Sequence, residues 1–555
     1  MIKSIKLKFG RAPTLQAETI ETTPVTLFVG PNNSGKSKVL SEIYQFCQNG
    51  SQNTLNLIFD SLEFETFTAE QAEDKIKFSL LKPRHGEAVL DNHVIIGKKG
   101  TRHNVNRSQL LEAVKNPNNR PSHFCSWYLS YNTLILDGNS RINLINQQPA
   151  GDLQIPQSTF QVLFTDDKKR HEVRRIIKEA FDLYFVIDPT HLGQLRLRLA
   201  LYAPLNDAQE RGIHDESVSY HSKAMPIENS SDGVKAFTGI ITEIIAGDPA
   251  VLLIDEPEAF LHPALSFKLG KEIARASHKS EKRLFISTHS TNFVMGCIQS
   301  GTPINIIRLT YRNGTATARV LPKNDILRLM RSPLLRSTGV LGGIFYEFVV
   351  VTESDSDRAF YQEINERLVL YDPDNGIPNC LFLNAQNKQT VHTIIRPLRE
   401  LGIPAAGIID LDMIKEGGSV WTNFLKGGFI PELEHSSLAQ LRNSVKTKFE
   451  ETGRDMKRDG GVALLSPNDQ EAANNLLDQL ADYGLFVVRG GELESWLPTL
   501  QSSGHGPDWL VDVFEKMGED PDLPNYMKPV SGDVWEFIGR VKHWLTNANR
   551  KGIPT

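Results

Sequence analysis

Short, wholly apolar runs that end in acids or in a glycine-rich turn punctuate this chain. They include "VTLFVG" (25–30), "VLLIDE" (251–256), "RLFIS" (283–287), "FVVVTE" (348–353), "AAGIID" (405–410) and "GLFVV" (484–488). Runs this short and this uniform predict strands buried on both faces, as in a parallel α/β sheet. Between them lie stretches with helical spacing, among them "GKSKVLSEIYQF" and "NDQEAANNLLDQLADY". The opening "MIKSIKLKFGR" alternates apolar and basic residues and predicts a strand with one exposed face. "DDKKRHEVRRIIKEAFDLYF" (166–185) predicts an amphipathic helix with a basic face, Lys168, Lys169, Arg170, Arg174 and Arg175, read as solvated with a DNA contact as the alternative.

At 555 residues the chain exceeds what one core holds and should divide into domains. The glycine-rich "RSPLLRSTGVLGGIF" marks the boundary: a first domain over 1–330, a linker over 331–345 and a second α/β domain over 346–555. Within the first, about 51–228 reads as inserted sequence. The formal net charge of −5 rules out a histone-like blanket of positive charge and leaves room for a local basic groove. Cys47, Cys125, Cys297 and Cys380 form no CxxC pair, which argues against a zinc ribbon or a redox dithiol and fits a reducing compartment. No apolar run approaches the ~20 residues of a membrane span, and the N-terminus lacks the apolar stretch of a signal peptide. A cytoplasmic protein without a membrane partner is expected.

The first domain carries nucleotide chemistry. "TLFVGPNNSGKSKVL" reads strand, loop, helix, and Gly30-x4-Gly35-Lys36-Ser37 has P-loop spacing. In such a loop, Gly30, Asn33 and Gly35 shape the backbone that cradles phosphates. Lys36 reaches the β/γ oxygens and Ser37 ligates Mg²⁺. "VLLIDE" ends in Asp255, suited to the Mg²⁺ shell, and Glu256, suited to polarise water. "RLFISTHS" ends in His289, placed to sense a γ-phosphate. Upstream, "SSDG" opens a predicted helix, so Ser231 and Gly233 are a candidate anion site at its N-terminus, with a plain N-cap as the alternative for Ser231. ATP with Mg²⁺ is the expected cofactor. A further glutamine for this site is sought in "NLINQQ", at Gln147 or Gln148.

The second domain collects acids. Three successive apolar runs end in carboxylates: Glu353 (with Asp355 and Asp357), Asp410 with Asp412, and Glu492 with Glu494. In a parallel sheet these ends meet at one edge, where α/β sites form. Clustered carboxylates need cations to stay ionised together, and oxygen ligands suit Mg²⁺ or Mn²⁺.

The order P-loop, "SSDG", "DEPEAFLHP" and "STHS" resembles the ABC-type ATPases of the SMC and OLD (overcoming lysogenization defect) families. Glu353, Asp410-x-Asp412 and "GELE" resemble a TOPRIM domain, and the combination resembles the OLD nucleases. The fold implied is α/β: an ABC-type ATPase domain with an inserted helical dimerisation region, then a C-terminal TOPRIM domain. The resemblance implies that Ser231 and Gly233 bind the nucleotide of a partner subunit, so that the protein is a homodimer or higher homo-oligomer through its ATPase domain. It also implies a two-metal DNA endonuclease in anti-phage defence. Glu353, Asp410, Asp412 and Glu494 would be its catalytic acids and metal ligands, with Asp357 and Glu492 as further ligands. The family's late lysine would be Lys542 or, less well matched, Lys528. DNA is the implied partner, with a helicase or a retron's reverse transcriptase and its DNA as defence partners. Where the family usually reads EGxSD, this chain has Ser354 in place of the glycine. An SMC-like DNA-binding ATPase or sensor with a scaffolding TOPRIM domain is the alternative.

Overall fold

The computed structural model describes residues 1–13, 15–77, 79–97, 101–312 and 314–554. The chain divides into two units, Met1–Lys323 and Asn324–Thr555.

The first unit is built on a six-stranded sheet. Its spatial order is Thr315–Leu321, Ile304–Arg312, Val25–Val29, Arg283–Ser287, Val251–Asp255 and Thr133–Leu136. All are parallel except the Thr315–Leu321 edge strand. Val25, Leu27, Leu252, Leu253 and Ile286 are buried, which is why these runs show no polar alternation. The helix Lys36–Asn49 packs Val39, Leu40 and Ile43 into a core shared with Phe28, Leu253 and Phe285. Because five strands run in parallel, the phosphate loop, Asp255 and the turn after Ser287 all leave the same edge. The N-terminal Ile2–Leu7 strand pairs with Thr19–Glu21 and Phe59–Phe64 in a separate antiparallel sheet.

The inserted region holds helices, among them Arg107–Lys115 and Asp167–Phe181, together with strands the sequence reading did not anticipate. It contributes Thr133–Leu136 to the central sheet and also forms an antiparallel sheet of Tyr184–Asp188, Gln194–Ala200 and Met225–Pro226. The period-two pattern of "QLRLRLA" carries that signal, with Leu195, Leu197 and Leu199 buried.

The helix Asp167–Phe181 forms as its spacing predicts, with Lys168 and Arg175 exposed, but Arg170 and Arg174 are turned into the fold rather than solvated. Arg170 is fully buried. It donates to Glu210 at 3.2 Å, to Asp167 at 2.7 Å and to the carbonyls of Leu163 and Phe164. Arg174 also binds Glu210, and Arg175 reaches Glu172, Glu179 and Glu272. Removing one member of such a network strands a buried charge. Arg170→Ala should therefore destabilise this unit by about 3–5 kcal/mol, read as a lower first midpoint in chemical denaturation. A shift under about 1 kcal/mol would show that the network is dispensable.

In the second unit four parallel strands lie in the order Cys380–Asn384, Phe348–Thr352, Ala405–Ile409 and Leu485–Val487. The first two strands in sequence therefore occupy the second and first positions, and the order reverses between Phe348–Thr352 and Ala405–Ile409. That reversal opens a crevice at the carboxyl ends of the two strands. One face is covered by Asp355–Tyr371, Pro507–Met517 and Asp533–Thr546, which bring Phe360, Trp509, Trp535 and Phe537 into one core. The stretch expected as a linker is largely helical: Pro333–Ser337 is an α-helix and Val340–Phe345 a 3₁₀ helix, with Leu335, Val340 and Ile344 buried. Its glycines masked apolar spacing that buries.

Candidate functional sites

In the nucleotide site, Gly30 takes φ 141°, and a Cβ there would lie 2.1 Å from the Leu309 carbonyl oxygen. Only glycine lets this loop lie against its neighbouring strand. Asn33 and Gly35 also adopt positive φ, at 61° and 91°. Lys36 is buried within the loop, its Nζ donating to the carbonyls of Gly30 at 2.9 Å and Pro31 at 2.6 Å. Burial lowers its pKa to about 8 against the pull of Glu256 and Asp255. An ammonium held by two neutral carbonyls is poised to exchange them for phosphate oxygens.

Ser37 Oγ donates to Asp255 Oδ1 at 2.9 Å across 218 positions of sequence, and Ser287 binds the same oxygen. The two residues expected in the Mg²⁺ shell are thus already together, and their oxygens fit a hard cation. Glu256 stands at φ 47°, its Oε1 3.3 Å from His289 Nε2. Burial, then Lys36, lowers the His289 pKa and favours the neutral imidazole. Ser231 is the exposed N-cap of Asp232–Ala246, and its hydroxyl caps no backbone amide among the described residues. At Gly233 a Cβ would meet the Phe260 carbonyl oxygen at 2.6 Å, so the helix start lies against the loop that follows Asp255.

Two residues of this site were not read from the sequence. Arg141, buried, donates to the backbone carbonyls of Asp255, at 2.9 Å, and Glu256. Glu258 Oε1 accepts from Thr288 Oγ1 at 2.6 Å and from the His289 amide at 2.9 Å, tying the two loops together. Gln148 does not serve the site: its side-chain oxygen accepts from the Phe160 amide. The loop that leaves the strand beside Val251–Asp255 carries Asp137 and Arg141 instead.

In the second unit the crevice carries the acids. Glu353 leaves Phe348–Thr352 and its Oε1 accepts from the Asp410 amide at 2.9 Å, joining the two strand ends at the point of reversal. Burial, reinforced by the neighbouring Asp410 charge, pushes the Glu353 carboxyl well above the usual range. Burial and then Asp357 push Asp410 the same way. Asp412 Oδ1 and Glu492 Oε2 are buried without a hydrogen-bond partner among the described residues. Repelling acids with orphaned oxygens fit a hard divalent cation, which would satisfy both deficits. Glu494 Oε1 accepts from the Gly506 amide at 2.7 Å and lies 2.6 Å from His505 Nδ1.

Asp357, whose charge acts on Asp410, also has a structural role. It and Ser354 form a reciprocal cap on Asp355–Tyr371, with Ser354 N donating to Asp357 Oδ2 at 2.9 Å. Ser354 lies at φ −123°, an extended conformation that needs no glycine, and the cap explains a serine there.

The lysines differ from expectation. Lys542 Nζ donates to the carbonyls of Pro373 and Asp374, both at 2.7 Å, and Lys528 lies over the Tyr371 ring. The acids are met by Lys457, 2.9 Å from Asp410 Oδ2 and 3.5 Å from Glu492 Oε2, and by Lys388, 2.7 Å from Asp412 Oδ2. Lys457 arrives because its loop packs on the end of the last strand. A Cβ at Gly491 (φ 118°) would sit 2.0 Å from the Lys457 carbonyl oxygen, and one at Gly461 (φ 61°) would sit 2.1 Å from that of Arg489.

Residues 25–295 match the family described as "AAA domain, putative AbiEii toxin, Type IV TA system". Among curated proteins, the chain is similar to ABC transporter B family member 13 of Arabidopsis thaliana, 22% identical over 167 residues. That alignment covers 30% of this chain and 13% of the transporter's length. Among solved structures it is similar to an SMC head bound to the C-winged helix domain of ScpA (TM-score 0.32, 16% identity, 59% of this chain and 99% of that one). It is also similar to the SMC head domain from Thermotoga maritima (TM-score 0.30, 14% identity, 58% and 99%). The family match over residues 25–295 and the loop geometry support a nucleotide-binding ATPase domain with a P-loop in the first half of the chain. Among the described residues no helix is long and apolar enough to cross a membrane.

Proposed function

We propose that the second unit is a metal-dependent DNA endonuclease of TOPRIM type, regulated by the ATPase domain acting as an ABC-type homodimer, in anti-phage defence. One observation carries the reading. Glu353 and Asp410 meet at the reversal point of a parallel sheet, Lys457 links Asp410 to Glu492, and Asp412 and Glu492 each keep a buried carboxylate oxygen without a hydrogen bond among the described residues. The resemblance of the motifs to OLD nucleases supports the defence role, and the match to a family described as a putative toxin supports an effector that damages a cellular target.

Mg²⁺ or Mn²⁺ held by these acids supplies Lewis acidity at the scissile phosphate. Glu353 fixes the spacing of the two strand ends through the Asp410 amide. Lys457 offers its ammonium to the charge that builds on the phosphate as water adds and the ester oxygen leaves. Lys388 holds Asp412 in place. Asp357 supports the start of the helix behind Glu353. In the ATPase domain, Lys36, Ser37 and Asp255 take the nucleotide and its Mg²⁺, Glu256 orients water, and Ser231 with Gly233 meets the nucleotide of the second subunit.

A second reading, an ATPase sensor whose second unit only scaffolds a complex, draws on the same lysines, since Lys388 and Lys457 neutralise two acids without metal. Supercoiled plasmid incubated with the full chain and Mg²⁺ or Mn²⁺ separates the two. Nicked or linear product that disappears with Glu353→Gln is expected, and intact plasmid alongside sustained ATP hydrolysis favours the sensor.

A further inference from the structure

Glu492, Glu494 and His505 each present a ligand atom within 4.8 Å of the others, the grouping of this kind found among the described residues. His505 sits between Gly504, at φ 96°, and Gly506, at φ 58°, in the loop that leads into Pro507–Met517. Its imidazole is directed to Glu494, with Nδ1 2.6 Å from Oε1, while its side chain remains 60% exposed. The second carboxylate is the opposite case. The Glu492 side chain is only 8% exposed, and its Oε2 has no hydrogen-bond partner among the described residues. Lys457 lies 3.5 Å from that oxygen, too long for a good hydrogen bond. A buried carboxylate held only by a long ion pair to Lys457, with a second carboxylate and an imidazole each placing a ligand atom within 4.8 Å, is a donor set able to take a cation.

We propose that His505 joins Glu492 and Glu494 as the nitrogen ligand of a divalent transition-metal site, so that this position takes Mn²⁺ in preference to Mg²⁺. The preference follows from the donors. Mg²⁺ favours oxygen ligands in a near-ideal octahedron and keeps its waters, whereas Mn²⁺, though also at home with carboxylates and the weakest binder of the first-row series, accepts an imidazole nitrogen more readily than Mg²⁺. Glu353, Asp410 and Asp412 offer only oxygen donors and carry no such bias. The inference rests on the reading that these acids hold metal. The competing role for the contact is structural, because Glu494 also accepts from Gly506 N at the start of Pro507–Met517 and could serve as its cap.

The test uses the full chain, stripped of metal and titrated with Mn²⁺ alone, without nucleotide or DNA. Pulsed electron paramagnetic resonance of the bound Mn²⁺ should show ¹⁴N modulation from a directly bound imidazole. His505→Gln should abolish the modulation and weaken Mn²⁺ binding about tenfold or more, with Mg²⁺ binding little changed. His505→Asp should restore much of the Mn²⁺ affinity without the nitrogen signal. An exposed residue makes both variants foldable, and thermal melts check this. Bound Mn²⁺ without ¹⁴N modulation, or modulation that survives His505→Gln, overturns the proposal and leaves a helix cap. A nitrogen signal in a protein that cleaves no DNA sinks the nuclease reading alone. Cleavage that depends on Glu353 with no nitrogen signal sinks this inference alone. Failure to bind Mn²⁺ at all contradicts both.

Discussion

Lys36→Ala should reduce ATP hydrolysis by at least about 100-fold while leaving the fold intact. The ammonium is enclosed by the loop, where its electrostatic effect on transferred phosphate is least screened. Phosphate release by the purified chain measures the effect. The same variant loses a side chain that bonds only to backbone of its own loop and to Ser34, so its melting temperature should change little. Hydrolysis within a few-fold of the unaltered protein would mean that the nucleotide sits elsewhere or that Lys36 only shapes the loop.

Lys457→Ala should lower DNA cleavage by about 100- to 1,000-fold, the loss seen when one preorganised donor to developing charge is removed. Lys542→Ala should leave cleavage within about twofold, since its ammonium is spent on the Pro373 and Asp374 carbonyls. The contrast separates catalysis from bulk charge, because both variants remove one positive charge from the same unit. Lys457→Arg should recover part of the activity by retaining the cation at the Asp410 carboxylate. Equal losses for Lys457 and Lys542 would move the role of the lysine away from the geometry described here.

What the sequence made legible is the part fixed by local chemistry. Six strands announced themselves as unbroken apolar runs, and their terminal acids followed because residues at a strand end leave the sheet together. The phosphate loop was readable because its spacing is short and each glycine answers a backbone demand, as at Gly30. The residues that escaped reading are those brought in by tertiary packing. Arg141 and Glu258 act on backbone carbonyls and amides of neighbouring loops, a role with no periodicity. Lys457 reaches Asp410 only because two glycines, Gly461 and Gly491, let a loop lie on the last strand. Lys542, favoured by its position late in the chain, lies on a helix with regular spacing and its ammonium goes to a loop instead. Arg170 and Arg174 were read as solvated because their partner Glu210 lies far along the chain, and nothing in the helix itself discloses it. In the inserted region the basic helix was the clearest element, and the strands among its helices went unread. The alternation in "QLRLRLA" was the missed evidence for strand.

The claim on which the account depends is that the acids at the sheet reversal cut DNA. The direct measurement is conversion of supercoiled plasmid by the purified full chain in Mn²⁺, with and without ATP, beside Asp412→Ala and Lys36→Ala. The account predicts nicked or linear plasmid with the unaltered chain, none with Asp412→Ala, and a changed ATP response with Lys36→Ala. Plasmid that stays supercoiled throughout while ATP is hydrolysed, or cleavage that persists undiminished in Asp412→Ala, would contradict it.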